Sequence, residues 1–192
     1  MASGSYEITD KRILESGKKL FLKNGYERTN LRDLCKAAGV TTGAFYRHFE
    51  DKASIFAALV EEAANGLLTK FDRAEEECFD FIDAGNTEEV WRVSSETITA
   101  FIRYIYAHFE EFKLILCCSG GTKYSDYIDW LVERELRSTY RMFDLLDQKS
   151  VPYHRIAGQE LHMILHAYYA CLFETVLHDF SREEALDSAR SL

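Results

Sequence analysis

Apolar residues recur along most of the chain with the spacing of an α-helix, and few stretches show the alternation typical of β-strands. In the first segment Ile13, Gly17 and Phe21 fall on one helical face. This pattern predicts a helix from Thr9, as its N-cap, to a stop at Asn24-Gly25, where glycine supplies a common helix end.

The next segment predicts three short elements joined by capping residues. Asn30 is expected to cap a second helix, with Asp33 in the third position of a capping box. Gly39 supplies a left-handed turn at no steric cost, and Thr41 then caps a third helix. Asp51 is expected to cap a fourth. The stripe predicted to bury the second helix consists of Leu31, Leu34, Cys35 and Ala38.

After about residue 65 the pattern changes to longer helices rich in aromatic residues. The fourth helix is expected to continue through Phe79. Asn86 and Glu89 have the spacing of another capping box, which predicts the start of the next helix. Further helices are predicted at 109–118, 122–148 and 154–179, and a last short one opens at Ser181.

Composition agrees with an all-α protein. Hydrophobic residues make up 47% of the 192 residues, and there is a single proline. No run of about 18 uncharged apolar residues indicates a membrane span, and the N-terminus has neither the basic nor the apolar segment of a signal peptide. Five cysteines without framework spacing are typical of free thiols in a reducing compartment, so we expect a cytoplasmic protein.

The net charge of −9 is unevenly divided. Residues 1–60 hold 10 Lys/Arg and 7 Asp/Glu, which gives +3, and the remaining residues hold 13 and 25, which gives −12. A basic N-terminal segment favours phosphate binding, because each neutralised phosphate releases a counterion. The acidic remainder discourages non-specific wrapping by DNA.

The segment KAAGVTTGAFYRHFEDK, residues 36–52, indicates a helix-turn-helix whose second helix lies in the major groove of DNA. Arg47 can donate two parallel bonds to guanine or clamp a phosphate, and Thr42 can contact a base edge. Gly43 lets the helix approach the groove closely. The alternatives without a DNA contact are that Tyr46 and His48 cover the edges of the core and that Lys52 is a solvated charge. The full set of predicted DNA contacts is Thr29, Thr41, Thr42, Gly43, Ala44, Tyr46, Arg47, His48 and Lys52.

Residues 29–56, TNLRDLCKAAGVTTGAFYRHFEDKASIF, resemble the N-terminal signature of the tetracycline-repressor (TetR/AcrR) family of transcriptional regulators. The resemblance implies an all-helical homodimer that binds a palindromic operator and is released by a small ligand in its C-terminal domain. Ala44 departs from the usual Ser or Thr, so one hydroxyl contact to the DNA backbone is missing. The chain ends soon after its last helix begins, which is typical of a truncated terminus.

We therefore expect an all-α fold with two domains. Residues 7–67 form a three-helix helix-turn-helix DNA-binding domain, and residues 68–192 form a helical ligand-binding and dimerisation domain. The helix at 154–179 is apolar nearly all round, so a second copy is expected to cover one side; a buried central helix in a monomer is the alternative. The predicted dimer residues are Tyr127, Ile128, Leu131, Leu161, Leu165, Tyr168 and Leu172.

A pocket for a bulky apolar effector is expected in the C-terminal domain; the alternative is that the aromatic residues predicted to line it are ordinary core. Its predicted lining is Phe71, Phe101, Tyr104, Phe109, Leu116, Cys117, His166 and Tyr169. Two alternatives stay open on the same scaffold: a metal- or thiol-responsive regulator, and a ligand-independent DNA-binding protein. His162 with His166, and Cys117 with Cys118, would serve the first of these. No motif of an enzyme is found, and neither a cofactor nor a resident metal is expected.

Overall fold

The computed structural model describes residues 2–189, and the side chains of all of these except residues 2–5, 87, 91, 94 and 95. Within that range the chain forms nine α-helices and no β-strand, in agreement with the predicted all-α class. They are α1 (Ala2–Asn24), α2 (Leu31–Ala38), α3 (Thr42–Phe45), α4 (Lys52–Asp83), α5 (Thr87–Ala107), α6 (Phe109–Cys118), α7 (Tyr127–Gln148), α8 (Gly158–Leu177) and α9 (Arg182–Ala189). Among the described residues, no helix combines the length and the apolar character needed to cross a lipid bilayer.

The chain divides into two compact units. The first comprises the residues up to Ala64 together with Phe109–Ser125, and the second comprises Asn65–His108 together with the residues from Asp126 onward. The first unit therefore ends three residues before the predicted limit at residue 67. It also includes residues 109–125, which the sequence analysis placed in the C-terminal domain.

The core of the first unit is formed by the apolar faces of α1, α2 and the start of α4. Its fully buried side chains include Ile13, Phe21, Leu34 and Phe56. Gly17 lets α1 approach α4 closely, because an added Cβ would lie 2.9 Å from Cγ2 of Ile55. The predicted apolar face of α1 is thus confirmed.

Helix α6 packs against α1 within this unit. Lys18 forms ion pairs with Glu110 at 2.5 Å and with Glu111 at 3.0 Å, and the backbone N–H of Tyr26 donates to the carbonyl of Cys118 at 2.9 Å. Burial lowers the pKa of Lys18, but the bonds to both carboxylates outweigh that effect and raise it. These contacts join residues about 90 positions apart, which explains why no local pattern predicted them.

Three predicted helix starts are confirmed by their capping bonds. The N–H of Asp33 donates to the side chain of Asn30 at 2.9 Å, and the N–H of Ser54 donates to Asp51 at 2.7 Å. Ser181 and Glu184 exchange reciprocal bonds at the start of α9. Each bond satisfies a backbone N–H that has no partner inside its helix.

Other predicted bounds were wrong. Helix α1 begins at Ala2 and not at Thr9. Helix α7 begins at Tyr127 and not at 122, because turns occupy residues 122–126. Helix α8 begins at Gly158, after a segment without helix. Asn86 stands at the N-cap of α5, but its side chain makes no capping bond, so that capping box was wrong.

The second unit has its core between α7 and α8. Tyr127, Leu131 and Phe173 are buried there, and the rings of Tyr127 and Phe173 meet edge to face at 6.5 Å. Helix α7 is also tied to the second half of α4, where Arg134 binds Asp72 and Arg141 binds Glu75. The predicted continuation of the fourth helix through Phe79 is confirmed.

Candidate nucleic-acid interface

The turn between α2 and α3 is fixed by a glycine and an arginine. Gly39 has φ +64°, in the left-handed region, and closes α2 with its N–H on the carbonyl of Lys36. Nη2 of Arg12, from α1, donates to the carbonyl of Ala38 at 2.5 Å. The charged side chain thus satisfies a helix-end carbonyl, and it holds α1 against the turn.

Helix α3 is shorter than the sequence predicted. Oγ1 of Thr41 accepts the N–H of Ala44 at 3.1 Å, which confirms Thr41 as the N-cap. The regular helix then ends at Phe45, and a tighter turn follows in which the N–H of His48 donates to the carbonyl of Phe45 at 2.9 Å. Phe45 is fully buried and anchors this single turn to the core. We call residues 42–48 the reading turn.

The outer side of the reading turn exposes the groups expected to meet DNA. Thr42, Gly43, Tyr46 and Arg47 are all exposed, and Tyr46 keeps 58% of its surface accessible. A Cβ added at Gly43 would meet no atom within 4 Å, so its surroundings are open. Hydroxyls, a guanidinium and a bare backbone on one convex surface can together contact base edges and phosphate oxygens.

Two residues predicted to contact DNA instead form hydrogen bonds within the protein. Thr29 is only 2% exposed, and its hydroxyl donates to the carbonyls of Leu20 and Gly25. Nζ of Lys52 donates to the carbonyls of Tyr26 at 2.7 Å and Thr29 at 2.8 Å, and it lies 4.0 Å from the centre of the Tyr26 ring. Burial lowers the pKa of Lys52, and the carboxylate of Glu27 opposes that shift. Both residues fix the loop between α1 and α2, so we remove them from the interface.

His48 also turns towards the protein. Its side chain is 9% exposed, and Nδ1 lies 2.5 Å from Oδ1 of Asp10. Ala44 is half-buried beneath the exposed face, and Thr41 stays exposed at its edge. The alternative that His48 covers a core edge is therefore the one that fits its surroundings.

Several exposed cationic side chains of the first unit were not predicted as DNA contacts from the sequence. Exposed cations of the first unit, besides Arg47, include Lys11, Lys19, Lys23, Arg28, Arg32 and Lys36. Arg32 and Lys36 lie on α2, the helix before the turn, and such side chains can bind phosphates and set the register of the protein on DNA. The +3 charge of residues 1–60 was the available signal, but it did not say which cations are exposed.

The residues predicted to line an effector pocket fall in both compact units. Phe109, Leu116 and Cys117 belong to the first unit, whereas the other five belong to the second. In the second unit Phe71, Phe101 and Tyr169 are buried, and Tyr104 packs so tightly on Gly66 that an added Cβ would overlap its hydroxyl. His166 is exposed and lies 3.7 Å from Asp129. A pocket lined by all eight residues stays a prediction.

The predicted dimer residues are mostly part of the protomer's own core. Tyr127, Leu131, Leu161 and Leu172 are at most 5% exposed, while Ile128, Leu165 and Tyr168 are half-buried. Their role in a dimer stays a prediction, because an all-apolar helix does not reveal which side its own chain covers. The exposed side of α8 includes a different apolar stripe, formed by Met163, Ile164, Ala167 and Cys171, with polar residues such as His166 and Glu174 exposed beside it.

These features define the class: a helix-turn-helix protein in which a short exposed turn follows the second helix. Residues 13–59 match the family model described as bacterial regulatory proteins, tetR family. This match, with the relatives and solved structures described next, supports a TetR/AcrR family regulator, and the resemblance stated from the sequence is confirmed.

Known relatives share mainly the N-terminal segment. The HTH-type transcriptional regulator TtgR of Pseudomonas putida is 43% identical over 53 residues, which cover 28% of this chain and 25% of that protein. The HTH-type transcriptional repressor AcnR of Corynebacterium efficiens is 37% identical over 65 residues, or 33% of this chain and 35% of that protein. The match thus spans about a quarter to a third of these relatives.

The whole fold also has a counterpart among solved structures. A transcriptional regulator (TerR/AcrR family) from Aquifex aeolicus VF5 superposes with a TM-score of 0.62 at 19% identity, covering 95% of this chain and 96% of that one. At this identity the likeness extends to the fold alone.

Proposed function

We propose that this regulator is a repressor that binds a palindromic operator as a homodimer through its reading turn. The exposed set Thr42, Gly43, Tyr46 and Arg47 carries the proposal, because these side chains have the chemistry of base and phosphate recognition. Arg32 and Lys36 would bind the flanking phosphates. The word repressor rests on relatives such as AcnR, which carries that name.

The exposed stripe of α8 is our candidate for the dimer interface. Met163 is 70% exposed and Ile164 is 48% exposed, and these are large apolar surfaces that a second copy would cover. Ala167 and Cys171 continue the stripe one and two turns further on, and their small side chains permit close packing of two helices. Two adjacent half-sites of a palindrome would require the reading turns of the two copies to lie about one DNA turn (~34 Å) apart.

An effector in the second unit would loosen operator binding. Among the predicted lining residues, Phe71, Phe101, Tyr104 and Tyr169 belong to that unit, and they support a bulky apolar or aromatic molecule. The chain passes from the second unit into α6 and back, at 108/109 and 125/126. A shift in the second unit would therefore reach α6, which Lys18 ties to α1 by its ion pairs.

The metal- and thiol-responsive alternatives have less support. The rings of His162 and His166 are 6.3 Å apart, but within the described residues no group of three potential metal ligands comes together. Cys117 is exposed whereas Cys118 is buried, and burial raises the pKa of the Cys118 thiol. A high pKa makes that thiol a poor nucleophile at neutral pH.

The DNA-binding proposal is tested by selecting duplexes from a random-sequence pool with the wild-type protein and measuring their affinity by fluorescence anisotropy. Arg47→Ala should weaken binding of the selected duplex by roughly 1–3 kcal/mol, because it loses a bidentate or phosphate contact. Arg103→Ala, an exposed arginine of the second unit, is the matched control and should change nothing. Failure to enrich any sequence, or an unchanged affinity of Arg47→Ala, would contradict the proposal.

The dimer is tested by sedimentation velocity. Met163→Asp places a charge on the stripe and should convert the dimer to monomers that bind the full palindrome much more weakly. Phe180→Asp places the same charge on an exposed apolar residue outside the stripe and should leave the dimer intact. A Met163→Asp protein that stays dimeric would exclude this face.

A further inference from the structure

Side chains in the first turns of α1 contact the reading turn of the same chain. The hydroxyl of Tyr6 donates to the backbone carbonyl of Arg47 at 2.7 Å. Tyr6 and Arg47 are 41 residues apart in sequence, so this bond joins two separate elements of the first unit. It holds the main chain of Arg47, and it leaves the guanidinium exposed.

His48 provides the second part of these contacts. The rings of Tyr6 and His48 stack with their centres 4.0 Å apart and their planes inclined by 29°. On the ring edge, Nδ1 of His48 lies within hydrogen-bonding distance, 2.5 Å, of Oδ1 of Asp10. Asp10 is one helical turn after Tyr6, so a single stretch of α1 contacts the carbonyl of Arg47, the face of His48 and its edge.

The far side of the reading turn is fixed independently. Phe45 is fully buried, and the N–H of Arg47 donates to the carbonyl of Ala44 at 3.1 Å. The turn is therefore held by the core through Phe45 and by α1 through Tyr6 and Asp10. A reading group mounted on a rigid backbone loses less conformational entropy when it binds than one on a mobile turn.

We propose that Tyr6 and Asp10 are positioning residues for operator recognition, which act through His48 and the backbone of Arg47. This inference rests on the proposed role of Arg47 in DNA binding. Both residues precede the segment 13–59 that matches the family model, so that match assigns them no role. The N-terminal turns of α1 are thereby part of the reading device, although neither residue needs to touch a base.

The direction in which Asp10→Ala changes DNA affinity distinguishes a positioning role from simple charge repulsion. A carboxylate near the DNA-facing turn repels phosphates, so its removal alone should strengthen binding to any DNA. If Asp10 positions the reading turn, Asp10→Ala should instead weaken binding of the selected duplex by about 3- to 10-fold, the range expected for one lost hydrogen bond. Its affinity for a scrambled duplex of the same length should stay equal or rise.

Tyr6→Phe is the second variant, because it removes the hydroxyl and keeps the ring on His48. We expect a loss of about 3- to 10-fold for the selected duplex and no loss for the scrambled one. Tyr153→Phe is the matched control, since it removes an exposed hydroxyl that bonds to Asp147 in the second unit. Thermal unfolding of each variant should stay close to that of the wild type.

A double-mutant cycle with Arg47→Ala decides whether the effect passes through Arg47. In the Arg47→Ala background, Tyr6→Phe and Asp10→Ala should each change affinity less than twofold, because there is no longer a guanidinium to position. Additive losses, or a gain in affinity for the selected duplex with Asp10→Ala, would overturn the proposal. Failure of Arg47→Ala itself to weaken binding would refute the DNA-binding role first, so the two failures are distinguishable.

Discussion

Gly39 is the position where the local conformation and the packing of the helix-turn-helix meet, and Gly39→Ala tests both. Its φ of +64° costs an L-residue roughly 1–2 kcal/mol. An added Cβ would also overlap Nη2 of Arg12, so the guanidinium must leave. The bond from Arg12 to the carbonyl of Ala38 is then lost, at a further cost of about 1–2 kcal/mol for a charged donor.

Together these contributions predict that Gly39→Ala lowers the free energy of unfolding by about 2–4 kcal/mol. The assay is urea unfolding followed by circular dichroism at one fixed protein concentration, because a dimer makes stability depend on concentration. In an Arg12→Ala background the cost should fall to about 1–2 kcal/mol, the part due to backbone conformation alone. A loss below about 0.5 kcal/mol, or the same loss in both backgrounds, would refute this reasoning.

Gly43→Ala is the matched control for that experiment. Gly43 lies in α3, has no positive φ and faces open space, so alanine should leave stability unchanged or raise it by up to about 1 kcal/mol. The added methyl group would nevertheless stand on the exposed side of the reading turn. Weaker DNA binding by a protein of undiminished stability is the expected result.

Two further predictions concern half-buried ionisable groups. Lys52→Met should lower the free energy of unfolding by roughly 1–3 kcal/mol, because the carbonyls of Tyr26 and Thr29 lose a charged donor. The same substitution should leave the salt dependence of DNA binding unchanged. A smaller salt slope would mean that Lys52 contacts a phosphate. Burial raises the pKa of Glu135, although its bond from Tyr169 opposes this, so the folded chain keeps the proton to higher pH than the unfolded chain does. The free energy of unfolding should therefore fall as pH rises above the ordinary pKa of glutamate. Glu135→Gln should be more stable than the wild type at pH 8, and this difference in the free energy of unfolding should disappear near pH 4. Unfolding curves at several pH values that show a constant difference would contradict this prediction.

Local signals in the sequence were sufficient for the helix-turn-helix. Asn30, Gly39, Thr41 and Asp51 each act on neighbours within a few residues, so the type of residue and its spacing determine where a helix begins or ends. The same reasoning predicted a regular third helix after Thr41, but the structure has a single helical turn followed by a tighter turn. Tertiary anchoring through Phe45 determines that geometry.

Contacts between distant segments were beyond the reach of these patterns. Three side-chain bonds each join residues at least 26 positions apart in the sequence: those from Arg12 to the end of α2, from Tyr6 to Arg47 and from Lys18 to α6. Lys52 was predicted to contact DNA because an ammonium group suits phosphate, but its amine already donates to backbone carbonyls of the protein. An apolar helix such as α8 likewise gave no signal of which side is already covered.

Photo-cross-linking from the reading turn tests the account most directly. A benzophenone amino acid replaces Tyr46, which is 58% exposed, and in a second protein it replaces Glu96, an exposed residue of the second unit. On irradiation with a duplex selected by the wild-type protein, we expect a protein–DNA adduct from position 46 and none from position 96. An adduct from position 96 with none from position 46 would contradict the claim that this turn meets DNA.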